Sequence, residues 1–320
     1  MKANKLVTII IPAYNKQDSI SETLNSIYKQ TFVNFEIIVI DDGSTDNTKQ
    51  VVESFEKSVV YIYQDNQGQG AARNQGIKAA KGDYIVFLDA DDYWEPEFLE
   101  TCYHFMETHP DLVAVNTAQK TYYNETDFVI HPKALMQENP VVIEDFFGIW
   151  AKHDHIRTGT AMIRKTIIDK AGFQNAALRV SQDLEYWALI ATYGTWGFIP
   201  QPLWAGNSRV HANKTGWSKK YSIRRRLCPD VEEWEKRILA RIRKDDLEAF
   251  SIVRGRVALG YAHYKILGGH QKDAMHIIRK YQDSFPKGPM ARLFKFGSQN
   301  GLFWCIAVMI VTTKERLKDI

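Results

Sequence analysis

Apolar and polar positions alternate along the first half of the chain in a regular way. Short apolar runs at 6–11 (LVTIII), 35–40 (FEIIVI), 59–63 (VVYIY) and 84–88 (YIVFL) are rich in β-branched and aromatic residues. Runs of five or six such residues predict buried strands and are too short for buried helices. Between them, the segments 19–29, 46–56 and 70–80 follow helix-start residues such as Ser19 and Asp46, or the Gly68–Gly70 loop. Strand and helix in strict alternation predict a parallel sheet with crossover helices. A further helix from 97 and a strand at 112–116 extend it. The polar, aromatic segment 122–140 reads as a loop over a site. A second group follows: a strand at 158–163, a helix at 181–193 and a strand-like stretch at 196–204.

Beyond residue 217 the periodicity changes to long amphipathic helices at 231–243, 246–267 and 271–281. This places a boundary between an α/β domain, 1–217, and a helical region, 218–320. Near the end, 302–311 (LFWCIAVMIV) carries no charge, with Arg292 and Lys295 before it and Lys314 and Arg316 after it. Ten apolar residues are well short of the about 20 that span a bilayer. Two readings fit: a helix buried among the other C-terminal helices, or a membrane-surface anchor. The basic cluster Lys219, Lys220, Arg224, Arg225 and Arg226, beside Trp217, suits a membrane face or a solvated helix.

Composition changes this picture little. Of 320 residues, 45% are hydrophobic and 25% charged, as in an ordinary folded protein, and a net charge of +3 gives no footing for a nucleic-acid partner. Cys102, Cys228 and Cys305 are scattered, an odd count without ligand spacing, which argues against a disulfide framework or a zinc site. The N-terminus lacks the long apolar core of a signal peptide, so the active domain is expected in the cytoplasm, with peripheral contact to the inner face of the membrane.

Candidate chemistry sits where strands end. Asp89-Ala90-Asp91 follows YIVFL, and in open α/β sheets ligands bind beyond the carboxyl ends of strands. In extended chain, residues i and i+2 project to one side, so both carboxylates face one ligand and call for a cation between them. Hard oxygen ligands suit Mg²⁺ or Mn²⁺ shared with a diphosphate. An acidic turn with Asp92 capping the next helix fits the same residues. A second cluster, Asp41-Asp42-Gly43-Ser44-Thr45-Asp46, follows EIIVI, and a carboxylate there suits a nucleobase imide or a ribose hydroxyl. Tyr14, beyond the first strand, is placed to stack on a base. Gly68-Gln69-Gly70-Ala71-Ala72-Arg73 opens a helix, offering backbone N–H groups at Gly70 and a cation at Arg73 to a phosphate. As a dinucleotide fingerprint this GxG is poor: it follows the third strand, and Arg73 stands where a third glycine belongs. Hydride transfer is therefore disfavoured.

The succession IIIPAYN, FEIIVIDDGSTD, NQGQGAARNQGI, GDYIVFLDADD and SQDLEYW resembles the family 2 inverting glycosyltransferases of the GT-A fold, over about the first 210 residues. The resemblance implies a Rossmann-like mixed sheet flanked by helices, here with a helical C-terminal extension. It implies that Asp91 binds the metal, Mn²⁺ or Mg²⁺, that Asp89 lies near the ribose, and that Asp42 recognises the base, commonly uracil. Pro12 and Tyr14 match positions lining the same pocket. Asp183 matches the catalytic base. Gln182 stands before it, where the family usually carries Glu, so the role of that neighbouring acid is absent. A simple helix cap is the plainer reading of Asp183 taken alone. His211 resembles a downstream histidine that approaches the metal or diphosphate, and a lone histidine is also commonly structural. Arg209 and the stretch to Ser218 are placed to close over the donor. Trp94, Trp150, Trp187 and Trp204 read as core before sugar platforms.

The expectation is an inverting transfer from a nucleotide sugar, UDP-linked, to a hydroxyl of a saccharide or lipid-linked acceptor in cell-surface polysaccharide or glycolipid synthesis. Two alternatives are weighed against it. A sugar-nucleotide pyrophosphorylase needs a Gly-rich basic loop after the first strand, which PAYNKQDSI does not provide. A non-catalytic nucleotide-sugar-binding or scaffolding protein has no need of Asp89, Asp91 and Asp183 together.

Overall fold

The computed structural model describes residues 5–55, 59–122, 128–132, 139–153, 155–206 and 227–316. The chain forms two compact units, one of Met1–Ala176 with Gln182–His211, the other of Ala177–Ser181 with Ala212–Ile320. The boundary expected between 217 and 218 lies outside the described residues, as does the basic cluster 219–226.

The first unit is built on one mixed sheet. Strands β1 (Val7–Ala13), β2 (Phe35–Asp42), β3 (Val60–Gln64) and β4 (Tyr84–Phe87) run parallel in the order β3-β2-β1-β4. All seven residues of β1 are buried, because a strand between two parallel neighbours has helices on both faces. Its alternation divides the core. Val7, Ile9 and Ile11 join Ile20, Leu24 and Ile27 of α1 (Ile20–Tyr28) and Phe98, Leu99, Cys102 and Met106 of α4 (Phe98–Thr108). The burial of Ile20, Leu24 and Ile27 on α1 follows the helical repeat. On the other face Ile10 meets α3 (Gln69–Ala79), where a Cβ on Gly76 would come within 2.4 Å of Ile10 Cγ2. Only glycine lets this helix lie so close to the sheet. A short helix, α2 (Thr48–Glu53), joins β2 to β3.

Past β4 the sheet becomes mixed, continuing through β9 (Ala161–Arg164), β6 (Ala114–Tyr122), β10 (Trp196–Gly206) and β5 (Asp92–Trp94) in that order. Here β9 runs antiparallel to β4 and to β6, and β10 runs parallel to β6. Three short strands depart from the expected pattern. Asp92 does not cap a helix but opens β5, which pairs antiparallel with β10. Inside the expected loop 122–140, β7 (Phe128–His131) pairs with β6, and after it β8 (Val141–Ile143) pairs with β10. Helices α5 (Phe146–Lys152), α6 (Lys165–Ala171) and α7 (Gln182–Ala191) complete the unit. Trp94, Trp150, Trp187 and Trp204 are all buried in its core.

The second unit is helical: α8 (Val231–Leu239), α9 (Leu247–Leu267), α10 (Gln271–Tyr281), α11 (Pro289–Gly297) and α12 (Gly301–Arg316). Trp234 stacks on Phe250 at 5.9 Å, and Glu235 accepts from both Arg254 and the Tyr281 hydroxyl. The segment 177–181 is tied into this unit. The Tyr261 hydroxyl donates to the Val180 carbonyl at 2.9 Å, and Trp234 Nε1 donates to the Ser181 carbonyl at 3.1 Å. On α12, Ala307 and Val311 are buried while Leu302 and Met309 are 70% and 60% exposed, so the helix is apolar on both its inner and outer faces. Among the described residues no helix is long and apolar enough to cross a membrane.

Candidate active site

The chain leaves β1 towards β2 on one side and returns through β3 to β4 on the other, so the crevice beyond the carboxyl ends of β1, β2 and β4 lies at a change of direction in the sheet. Three loops open into it: 14–18 after β1, 43–47 after β2 and 88–91 after β4. Register places Ala13 opposite Asp41 and Ile10 opposite Phe87, so β1 and β2 end side by side while β4 stops three residues short of the end of β1 and the 88–91 turn begins beneath it. Pro12 is buried in β1, and Tyr14 is 44% exposed just past it.

The acidic pair that ends β2 is almost fully enclosed. Asp41 accepts from the Tyr61 hydroxyl at 2.5 Å and from the Ser44 N–H at 2.7 Å. Burial, and then the Asp41 carboxylate, push the Tyr61 phenol well above its ordinary range, which keeps it a proton donor. Asp42 is 4% exposed and accepts three hydrogen bonds, from Gln64 Nε2 (2.7 Å), Gln67 N (2.8 Å) and Gly68 N (2.7 Å). Its own carbonyl accepts from Asn66 Nδ2 at 2.9 Å. The carboxylate thus holds the β3–α3 loop in place, and the Gly68 N–H, at the start of the segment expected to face a phosphate, is spent on it. One of about four lone-pair directions remains for a base. Asp46 accepts from Thr48 and from the Gln17 N–H. Burial raises its pKa, but the hydrogen bonds from Thr48 and Gln17 outweigh it and hold the carboxyl below its ordinary value.

The pair after β4 is built differently. Asp89 and Asp91 belong to a turn closed by Asp92 N–H to the Asp89 carbonyl at 3.0 Å. Ser19 Oγ donates to the Ala90 carbonyl and Thr23 Oγ1 to the Asp92 carbonyl, both at 2.8 Å, so the start of α1 anchors the turn. Both carboxylates keep exposure, 27% and 23%. Neither waits bare for an external cation. Arg73 Nη2 meets Asp89 Oδ1 at 2.7 Å and Lys16 Nζ meets Asp91 Oδ2 at 2.5 Å. The two carboxylate charges are balanced by cations of the chain itself. Lys16 carried no local signal in the sequence, being a lone lysine 75 positions from its partner.

Arg73 is 1% exposed, and its Nε and Nη1 have no hydrogen-bond partner among the described residues. Buried donors left open beside a half-exposed carboxylate suit an oxygen-rich ligand. One turn earlier, Gly70 is buried with Gln182 Cγ 3.5 Å from where its Cβ would be, and Gln182 Nε2 reaches Gln69 Oε1 at 3.5 Å. Thus α3, which carries Arg73 to Asp89, also meets the start of α7, which carries Asp183. Asn74 on α3 adds a two-way tie, donating to the Gln174 carbonyl and accepting from its N–H, both at 2.8 Å. Asp183 is half-buried in the first turn of α7. Two positions before it, Ser181 has a φ of 58°. His211 and Arg209 lie outside the described residues.

Among the described residues no three His, Cys, Asp or Glu side chains gather into a metal cage. A hard divalent ion of the Mg²⁺ class is commonly held by one or two carboxylates plus substrate phosphates, and the exposed Asp91 carboxylate fits that arrangement.

The profile of Glycosyl transferase family 2 matches residues 8–172. The chain is 37% identical over 194 residues to the Escherichia coli UDP-Glc:alpha-D-GlcNAc-diphosphoundecaprenol beta-1,3-glucosyltransferase WfaP, covering 59% of this chain and 72% of that protein. It is 34% identical over 134 residues to glycosyltransferase GlyA of Streptococcus pneumoniae, covering 41% of this chain but only 19% of that longer protein. Among solved structures, Staphylococcus aureus TarS 1-349 in complex with UDP-GlcNAc superposes with a TM-score of 0.63 at 19% identity, covering 98% of this chain and 92% of that one. Mannosyltransferase PcManGT from Pyrobaculum calidifontis, in complex with GDP-Man and Mn²⁺, gives 0.58 at 17% identity, covering 99% and 88%. At such identities these two speak for the fold alone, which is that of the GT-A glycosyltransferases. With the profile spanning half the chain and lying over the strands and loops that build the crevice, the protein belongs to glycosyltransferase family 2.

Proposed function

We propose that the chain is an inverting, metal-dependent transferase that moves a sugar from a UDP-sugar to a hydroxyl of a lipid-linked saccharide in cell-surface polysaccharide or glycolipid synthesis. The observation that carries this reading is the contact of α3 with the start of α7. It links the helix that braces Asp89 to the residue before Asp183. Pro12, Tyr14 and Asp42 would line the base, Tyr14 by stacking and Asp42 mainly by fixing the loop around it. Asp89 and Arg73 would face the ribose and diphosphate beside the first turn at Gly70. Asp91, with His211, would hold Mn²⁺ or Mg²⁺, and such an ion, when bound, neutralises charge on the departing diphosphate.

Asp183 is the base in this scheme. Its carboxylate takes the proton of the acceptor hydroxyl as that oxygen attacks the anomeric carbon, opposite the departing UDP. One in-line displacement turns an α-linked donor into a β-linked product. The beta linkage in the name of WfaP and its UDP-linked donor favour the same outcome here. Synthetic GlcNAc on a lipid diphosphate, offered with a panel of UDP-sugars, tests the whole reading by ¹H NMR of the product. A β-anomer formed with Mn²⁺ and abolished by EDTA is expected. An α-anomer, or turnover indifferent to EDTA, contradicts it.

Residues 1–217 would form the catalytic domain, and 218–320 would bring it to a membrane-bound acceptor. Supporting this, Leu302, Met309 and Ile310 stand exposed on a helix without charge from Gly301 to Thr313, and Arg292, Lys295 and Lys314 are exposed nearby. An apolar face with basic flanks matches an anionic bilayer surface. Sedimentation with phosphatidylglycerol vesicles is expected to carry the full chain down, and the Leu302→Glu/Met309→Glu variant to stay in solution. Equal sedimentation of both overturns the membrane role of this helix.

A further inference from the structure

The pairing of Lys16 with Asp91 has no part in the family reading, yet the loop that bears Lys16 is hydrogen-bonded at three successive residues. Asn15, at φ 51°, donates its N–H to Ser44 Oγ (2.9 Å) and accepts the Thr45 N–H (2.8 Å). Lys16 donates its own N–H to Thr48 Oγ1 at 2.7 Å. Gln17 donates to Asp46 Oδ2 (3.1 Å) and accepts from the Asn47 N–H (2.9 Å). With the backbone fixed on both sides, the four-carbon stem of Lys16 is aimed at the turn after β4, and its ammonium lands on Asp91 Oδ2 at 2.5 Å.

Asp91 is the carboxylate to which the proposed function gives the divalent ion, so this inference rests on that reading. An ammonium and a divalent cation on one carboxylate repel each other strongly at contact distance. Both side chains stay partly exposed, 29% for Lys16 and 23% for Asp91, so the pair is only weakly held and can part. Arg73 on Asp89 is different: at 2% side-chain exposure it has nowhere to go.

We infer that Lys16 is a displaceable internal counter-ion of Asp91, which keeps the metal site closed to a bare divalent ion and gives way when the ion arrives with a nucleoside diphosphate. The diphosphate brings the negative charge that lets two cations remain in one cleft. Metal and nucleotide are thereby coupled, each raising the affinity of the site for the other. Lys16 is in this sense a positioning residue that sets the order of loading.

The test is binding of Mn²⁺ to the full chain, followed by the EPR signal of the free ion, with and without UDP. Without nucleotide, Lys16→Met is expected to bind Mn²⁺ about tenfold tighter than wild type, and Lys16→Arg, which keeps the charge, within about twofold of wild type. With UDP present the gap between Lys16→Met and wild type should shrink. Thermal melts establish that the variants are folded. Equal or weaker Mn²⁺ binding by Lys16→Met without nucleotide overturns the inference. If Asp91→Asn then still loses the UDP-dependent binding of Mn²⁺, the metal assignment stands and only the exchange fails. If Asp91→Asn binds as wild type does, both fall together.

Discussion

Two acidic clusters stand at the carboxyl ends of the two strands that flank β1, and they look alike on paper: Asp41-Asp42 closing β2, Asp89-Ala90-Asp91 after β4. In the folded chain they do opposite work. The first is sealed, its carboxylates taken up by Tyr61, Ser44, Gln64, Gln67 and Gly68, and it serves to shape the loops around it. The second stays exposed and is matched to two cations, one locked and one free to leave. A carboxylate at a strand end is therefore not a ligand site by position alone. What decides is whether fixed neutral donors or exchangeable charges already satisfy it.

The sharpest way to break this contrast is to remove one carboxylate from each cluster. Asp42→Ala takes the acceptor away from the part-buried Gln67 and Gly68 N–H groups and from Gln64, and is expected to cost about 2 kcal/mol of folding stability in urea melts. Asp91→Ala removes one partly exposed pair and is expected to cost under about 1 kcal/mol while weakening Mn²⁺-dependent UDP binding. Equal losses of stability would erase the distinction. Next in size is Tyr61→Phe, which takes one hydrogen bond from the Asp41 carboxylate and is expected to lower stability by about 1.5 kcal/mol, leaving UDP binding within twofold. A larger effect on binding than on stability would move Asp41 to the ligand side.

The smallest expected effect concerns pH. The Asp46 carboxyl is held below its ordinary value in the folded state, so it stabilises the fold above that value and ceases to as pH falls through the folded one. The stability difference between wild type and Asp46→Asn should be full near neutrality and narrow below about pH 4. A difference constant with pH would show that the charge of Asp46 does not matter to the loop.

Much of this was legible beforehand, and the reason is local. β1 to β4 are continuous apolar runs with helices between them, and α9 and α10 (Leu247–Leu267 and Gln271–Tyr281) match their apolar repeat almost to the residue. What escaped was set by distant partners. β5 and β8 are three residues long and exist because β10 pairs with them, while β7 lies inside a polar stretch and leans on β6. The site divides along the same line. Asp89 and Asp91 stand out by spacing and by their place after a strand. Lys16 comes from a loop 75 residues away, and no pattern around it announces a partner. Gln182 did show as a departure from the family pattern, but its reach to Gln69 across 113 positions is visible only in the fold.

One measurement bears most directly on the convergence of these groups: UDP affinity with Mn²⁺, set beside the rate of transfer, in Asp183→Asn. The substitution keeps the size of the side chain and removes its ability to take a proton. The expected result is transfer reduced by a factor of at least about 1,000 with UDP affinity within twofold of wild type. Transfer that persists, or UDP binding lost along with it, would contradict a base at Asp183 facing a donor held by Asp89 and Asp91.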